Sequence, residues 1–123
     1  MSTILVVDDE YLIADILRYA LEDRGFDVEL ASNGQKALDV LKGKRVELVI
    51  TDYMMPVMDG GALAVSIRAE PLLQGLPIIL MSGAQAHMGR DNSGLFAAVF
   101  DKPFDIVQLM AKVKELVDAP EAS

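Results

Sequence analysis

Five short runs, apolar at nearly every position, begin near residues 3, 26, 46, 76 and 96, and each is followed by a stretch with helical periodicity. An unbroken apolar run suits a strand covered on both faces of its sheet, not a half-exposed one. Regular alternation of such strands with helices, joined by right-handed crossovers, gives an α/β fold. The parallel sheet is doubly wound, with helices on both sides. The reading predicts one domain over residues 1–118 and a frayed tail over 119–123, with no linker or second domain.

The helical stretches differ in quality. In the first, Ile13, Ile16, Leu17, Ala20 and Leu21 are expected on one buried face, and Gly25 ends it. The second runs from Asn33, a good N-cap, through Ala37, Leu38 and Leu41 to Gly43. The third starts at Asp59 and carries Leu63, Ala64 and Ile67. The fifth carries Ile106, Leu109, Met110, Val113, Leu116 and Val117, with Lys112 and Lys114 on its polar side. The fourth, residues 84–94, has two Gly, an Asn and a Ser, all poor helix formers, and predicts a short, frayed or mobile element.

Ligands of open parallel sheets bind at the carboxyl ends of the strands. Three of the runs end in charged residues. Ile4 to Val7 leads into Asp8 and Asp9, Val46 to Thr51 into Asp52, and Val99 to Asp101 into Lys102 and Pro103. Ser82 closes the fourth run. Two charges about 4–5 Å apart repel by roughly 3–4 kcal/mol at an effective dielectric near 20. Three clustered carboxylates therefore oppose folding, and one lysine cannot neutralise them. A hard divalent cation can, which points to Mg²⁺, with Mn²⁺ as the second choice. Lys102 would pair with a phosphoryl oxygen, and a carboxylate is a competent nucleophile toward phosphorus. Taken singly, Asp8 or Asp9 serves equally well as a helix cap, Asp52 and Ser82 as turn residues, and Lys102 as a surface lysine. Their conjunction on one edge carries the argument. His87 reads as a solvent-facing loop residue without a role, and Met54, Met55 and Met58 as loop packing.

Composition narrows the function further. At 123 residues with 52% hydrophobic content the chain can bury a sizeable core. A net charge of −8 and a pI near 4.4 argue against direct binding of nucleic acid or of anionic membranes. Without cysteine there is no disulfide, thiolate or Cys-based zinc chemistry. No apolar run reaches membrane-span length and no signal peptide is visible, so a cytoplasmic location is expected.

The residues Val6-Val7-Asp8-Asp9-Glu10, Thr51-Asp52-Tyr53-Met54-Met55-Pro56, Met58-Asp59-Gly60, Pro77-Ile78-Ile79, Ser82-Gly83-Ala84 and Lys102-Pro103-Phe104 together resemble the receiver domain of two-component response regulators. The likeness runs from Ile4 to about Val117. It implies a flavodoxin-like (βα)5 fold with a five-stranded sheet in the order 2-1-3-4-5. It implies that Asp52 accepts a phosphoryl group from a histidine kinase or histidine phosphotransfer protein. Mg²⁺ would be held by Asp9 and Asp52 side chains, the backbone carbonyl of Met54, and Asp8 through water. Ser82 would be the switch hydroxyl, Lys102 the phosphoryl-binding lysine, and Lys102–Pro103 a cis peptide.

The sequence departs from that pattern at Val99, where many receivers carry Tyr or Phe, so an aromatic switch at that position is unavailable; Phe100 should face the other side of its strand. The expectation is instead an order–disorder switch in the weak fourth helix. Met54, two residues after Asp52, is expected to shield an aspartyl phosphate from water and prolong its life. The chain is read as a stand-alone receiver that docks an unknown protein target. It would not be an enzyme beyond promoting its own phosphorylation and dephosphorylation, and would be a monomer or weak homodimer. The exposed part of the first helix (Tyr11, Ala14, Asp15, Arg18) is the expected kinase-facing surface, with the fourth helix, fifth strand and fifth helix as the output surface. The alternatives are a phosphorylation-independent scaffold, an Asp-nucleophile Mg²⁺ phosphatase and a flavin-binding protein. The phosphatase would need a carboxylate where Met54 stands. The flavin protein would need a Ser, Thr and Gly loop where Asp8-Asp9-Glu10 stands.

Overall fold

The computed structural model describes residues 2–83 and 94–118. The expected fourth helix, apart from Gly94, and the tail 119–123 lie outside them, as does His87. Five parallel strands form one sheet in the order β2-β1-β3-β4-β5. They are β1 (Thr3–Val7), β2 (Asp27–Ala31), β3 (Leu48–Asp52), β4 (Ile78–Ser82) and β5 (Ala98–Asp101). The described helices are α1 (Tyr11–Asp23), α2 (Gly34–Gly43), α3 (Gly60–Ala69) and α4 (Ile106–Asp118), the last being the helix numbered fifth in the sequence pattern. Strands start within two residues of the sequence expectation. No helix among the described residues is long and apolar enough to cross a membrane.

The three inner strands explain their own composition. Every residue of β1, β3 and β4 is buried, because helices cover both faces. Side chains alternate between two cores. Ile4 and Val6 join Leu17, Leu21, Leu109 and Val113 beneath α1 and α4. Leu5 and Val7 join Ala37, Leu63, Ala64 and Ile67 beneath α2 and α3. Val99 packs on the second side and Phe100 on the first, as strand alternation requires.

Helix ends follow local chemistry. Gly25, at φ +92°, turns the chain out of α1, a conformation glycine adopts without a Cβ penalty. Asn33 caps α2 by accepting from the Lys36 N–H at 2.8 Å, and Asp59 caps α3 by accepting from Ala62 N–H at 2.8 Å. Beyond α3, a 3₁₀ turn over Pro71–Leu73 leads back to β4. Arg68 secures this connection. Its guanidinium donates to the carbonyls of Leu76 (2.8 Å), Leu95 (3.0 Å), Gln74 (3.3 Å) and Leu73 (3.4 Å).

On α1 the structure corrects two expectations. Ala14 is buried at 4% exposure, so it belongs to the core and not to a docking surface, whereas Ile16 is 57% exposed. The buried face centres on Ala14, Leu17 and Leu21, and at 3.6 residues per turn Ile16 lies about 130° round the helix from that centre. Leu12, Ile16 and Tyr19 consequently form an exposed apolar stripe opposite the core.

Candidate functional site

Strand register brings the charged residues to one edge. Val7 pairs with Thr51, Asp52 with Met81, and Ser82 with Asp101. Asp8 therefore stands one residue past β1, Asp52 and Ser82 end β3 and β4, and Lys102 stands one residue past β5. The cleft between these ends is lined by Asp9, Glu10, Asp52, Met54, Gly83 and Lys102, among others.

Asp52 is 4% exposed, and Lys102 Nζ lies 2.9 Å from its Oδ1. The same ammonium is 4.0 Å from Asp8 Oδ2. That is within ionic reach but too long for a hydrogen bond. Asp8 Oδ1 accepts from the Glu10 N–H at 2.9 Å, which fixes the turn into α1. Carboxylate oxygens of Asp8, Glu10 and Asp52 lie within 4.8 Å of one another. Asp9 is exposed and not part of that triplet, although it lines the same cleft.

The electrostatics are those of a site short of positive charge. Burial pushes the Asp8 carboxyl up to about 6, with the Asp52 charge adding to the effect and the Glu10 N–H opposing it. Burial also raises Asp52, against the pull of Lys102. Burial disfavours the Lys102 charge, but Asp52 and Asp8 outweigh it and hold the ammonium above the ordinary lysine range. Asp8 Oδ2 and the hydroxyl of fully buried Ser82 have no hydrogen-bond partner among the described residues. Oxygen donors only, two of them buried and unsatisfied, with several carboxylates facing one ammonium, fit a hard divalent cation such as Mg²⁺. The Lys102–Pro103 peptide is cis.

The loop from Asp52 to α3 forms the cleft's other wall. A side chain at Gly60 would collide with the Asp52 carbonyl and the Tyr53 Cα, so only glycine lets α3 start this close to Asp52. Gly60 N–H also donates to the Tyr53 carbonyl at 2.8 Å. Val57 sits at φ +72° and is spanned by a Met58 N–H to Pro56 carbonyl bond of 2.8 Å. That is a γ-turn with a β-branched residue in the left-handed region, a strained arrangement. Met55 and Met58 pack against the core, as a packing role requires, but Met54 is 59% exposed in the cleft.

Of the residues named from sequence, Asp8, Asp52 and Lys102 converge directly, Ser82 stands buried at the same edge, and Asp9 and Met54 line the opening. Glu10 was not anticipated as a site residue. In sequence it reads as an ordinary acid at a helix start, and only the turn held by Asp8 brings its carboxylate into the cleft.

A family model of the response regulator receiver domain matches residues 4–114. The response regulator MprA of Mycolicibacterium vanbaalenii is 35% identical over 117 residues, covering 93% of this chain and 49% of the relative. The phosphate regulon transcriptional regulatory protein PhoB of Rhizobium meliloti is 35% identical over 120 residues, covering 95% and 52%. The chain thus spans about half the length of the curated relatives it matches. Among solved structures, the signal receiver domain of a signal transduction histidine kinase from Syntrophus aciditrophicus superimposes with a TM-score of 0.89 at 31% identity, covering 97% of this chain and 92% of that one.

Proposed function

Because the chain belongs to the response regulator receiver domains of two-component signalling, we propose that Asp52 is its phosphoacceptor and that its phosphorylation alters protein docking. The observation that carries this reading is the buried Asp52 carboxylate, held by Lys102 at 2.9 Å within a cluster of further carboxylates. An Asp52 oxygen attacks phosphorus as the P–N bond of a phosphohistidine breaks, and the leaving imidazole keeps the electron pair and takes up a proton. Lys102 then moves from pairing with Asp52 to pairing with a phosphoryl oxygen. The Ser82 hydroxyl, unpartnered among the described residues, has a hydrogen bond to donate to the same group. Asp8, Asp9, Asp52 and the Met54 carbonyl are the candidate holders of Mg²⁺, or of Mn²⁺ in its place. When bound, the cation offsets charge on the carboxylates and the phosphoryl oxygens.

The donor is a histidine kinase or a histidine phosphotransfer protein, and the product is read by a protein partner. This role is that of a signalling module and not of an enzyme with turnover on a separate substrate. The test is intact-mass spectrometry after incubation with Mg²⁺ and a small phosphodonor, beside Asp52→Ala. A gain of one phosphoryl group, absent in the variant, supports the reading. No gain in a chain that demonstrably binds Mg²⁺ would favour the phosphorylation-independent scaffold.

A further inference from the structure

We infer that Glu10 is an additional carboxylate of the cation pocket and sets how tightly this chain holds a divalent ion. The inference rests on the metal-dependent site proposed above and adds a residue to it. Three observations converge. A Glu10 carboxylate oxygen lies within 4.8 Å of carboxylate oxygens of both Asp8 and Asp52, and Glu10 lines the cleft they share. Glu10 is the N-cap residue of α1, yet its side chain makes no capping hydrogen bond, so it is not committed to the helix. The Asp8 side chain is wholly buried, and its Oδ2 has no hydrogen-bond partner among the described residues and only the Lys102 ammonium at 4.0 Å, so this oxygen has acceptor capacity to offer a cation.

Backbone geometry positions the residue. The Glu10 N–H is fastened to Asp8 Oδ1 at 2.9 Å, and its carbonyl accepts from Ile13 N–H at 3.0 Å and Ala14 N–H at 3.1 Å. Its Cα is therefore fixed while the side chain stays exposed and adjustable. A carboxylate so placed can reach the ion or one of the ion's waters. Outer partners of metal ligands commonly govern affinity by about 10–100-fold. Glu10 stands at the low end of that range because it is exposed to water. The same charge makes the empty cleft more repulsive, so its cost and its benefit come from one group.

The experiment is isothermal titration of the metal-free chain with Mg²⁺, repeated with Mn²⁺, on wild type, Glu10→Gln and Glu10→Asp. Glu10→Gln is expected to weaken both ions about tenfold. Glu10→Asp, which keeps the charge on a shorter stem, should recover part of that loss. Metal-free melting temperatures control for folding, and Glu10→Gln should melt no lower than wild type. Equal affinities in wild type and Glu10→Gln would overturn the inference. Wild-type phosphorylation by the small phosphodonor, followed by mass, separates the two levels. A wild type that takes up the phosphoryl group while Glu10→Gln binds ions unchanged removes Glu10 alone. A wild type that neither binds ion nor gains mass removes the metal-dependent site with it.

Discussion

Arg68 and the Asp8–Asp52 pair are both charges drawn partly out of water, and the fold treats them in opposite ways. The four hydrogen-bond partners of Arg68 among the described residues are all backbone carbonyls, reached over five to 27 positions in the sequence. The chain closes its own account there, joining α3, the 3₁₀ turn and the approach to β5. At the other end of the molecule Asp8 keeps an oxygen without a hydrogen bond among the described residues, and burial pushes its carboxyl up to about 6. A buried group satisfied internally serves the fold, whereas one left wanting serves something that arrives from outside.

Breaking the satisfied cluster should have the largest effect. Arg68→Met keeps the stem but leaves the partly buried Leu76 and Leu95 carbonyls without their donor, and should cost about 4 kcal/mol in urea unfolding, with or without Mg²⁺. The unsatisfied cluster should respond in the other direction. Asp8→Asn removes a charge that burial disfavours and should stabilise the metal-free chain at pH 7 by about 3 kcal/mol, while abolishing most of the added stability that Mg²⁺ gives wild type. A loss of stability in Asp8→Asn would place Asp8 with Arg68 as a structural group.

Acid should reveal the same contrast more gently. Asp8 takes up its proton near pH 6 when folded, against 3.8 as its ordinary value. Between those values the folded state binds more protons than the unfolded one, so stability rises as pH falls. From pH 7 to pH 5 the expected gain from this group is about 1 kcal/mol without metal. Saturating Mg²⁺ should reverse the slope, because protons then compete with the ion. Urea midpoints at both pH values, with and without Mg²⁺, check the crossing. The smallest effect concerns the cleft's apolar rim. Met54→Asn should shorten the life of the aspartyl phosphate about threefold, equivalent to about 0.7 kcal/mol, as read by mass against time. An unchanged decay would mean that Met54 does not screen water.

The satisfied and unsatisfied sites were unequally legible in the sequence. The three inner strands announced themselves because burial on both faces forbids polar alternation, and Asp8, Asp52 and Lys102 followed from strand ends meeting at one edge. Arg68 was invisible, since its acceptors are carbonyls that carry no side-chain signature. Glu10 was missed because its position depends on a turn held by Asp8. Ile16 reads as core because helical periodicity groups it on one face with Ile13, Leu17, Ala20 and Leu21, whereas the phase of α1 is set by Ala14, Leu17 and Leu21.

The exposed stripe of Leu12, Ile16 and Tyr19 gives the acid behaviour a second side. At neutral pH a charge of −8 keeps copies of the chain apart. Near the isoelectric point of about 4.4 that repulsion vanishes while the stripe stays apolar. The contribution of Asp8 to conformational stability and the colloidal stability of the chain therefore run in opposite directions as pH falls. The proton that relieves the buried Asp8 carboxylate is thus gained on the way to the pH at which copies of the chain are most prone to precipitate.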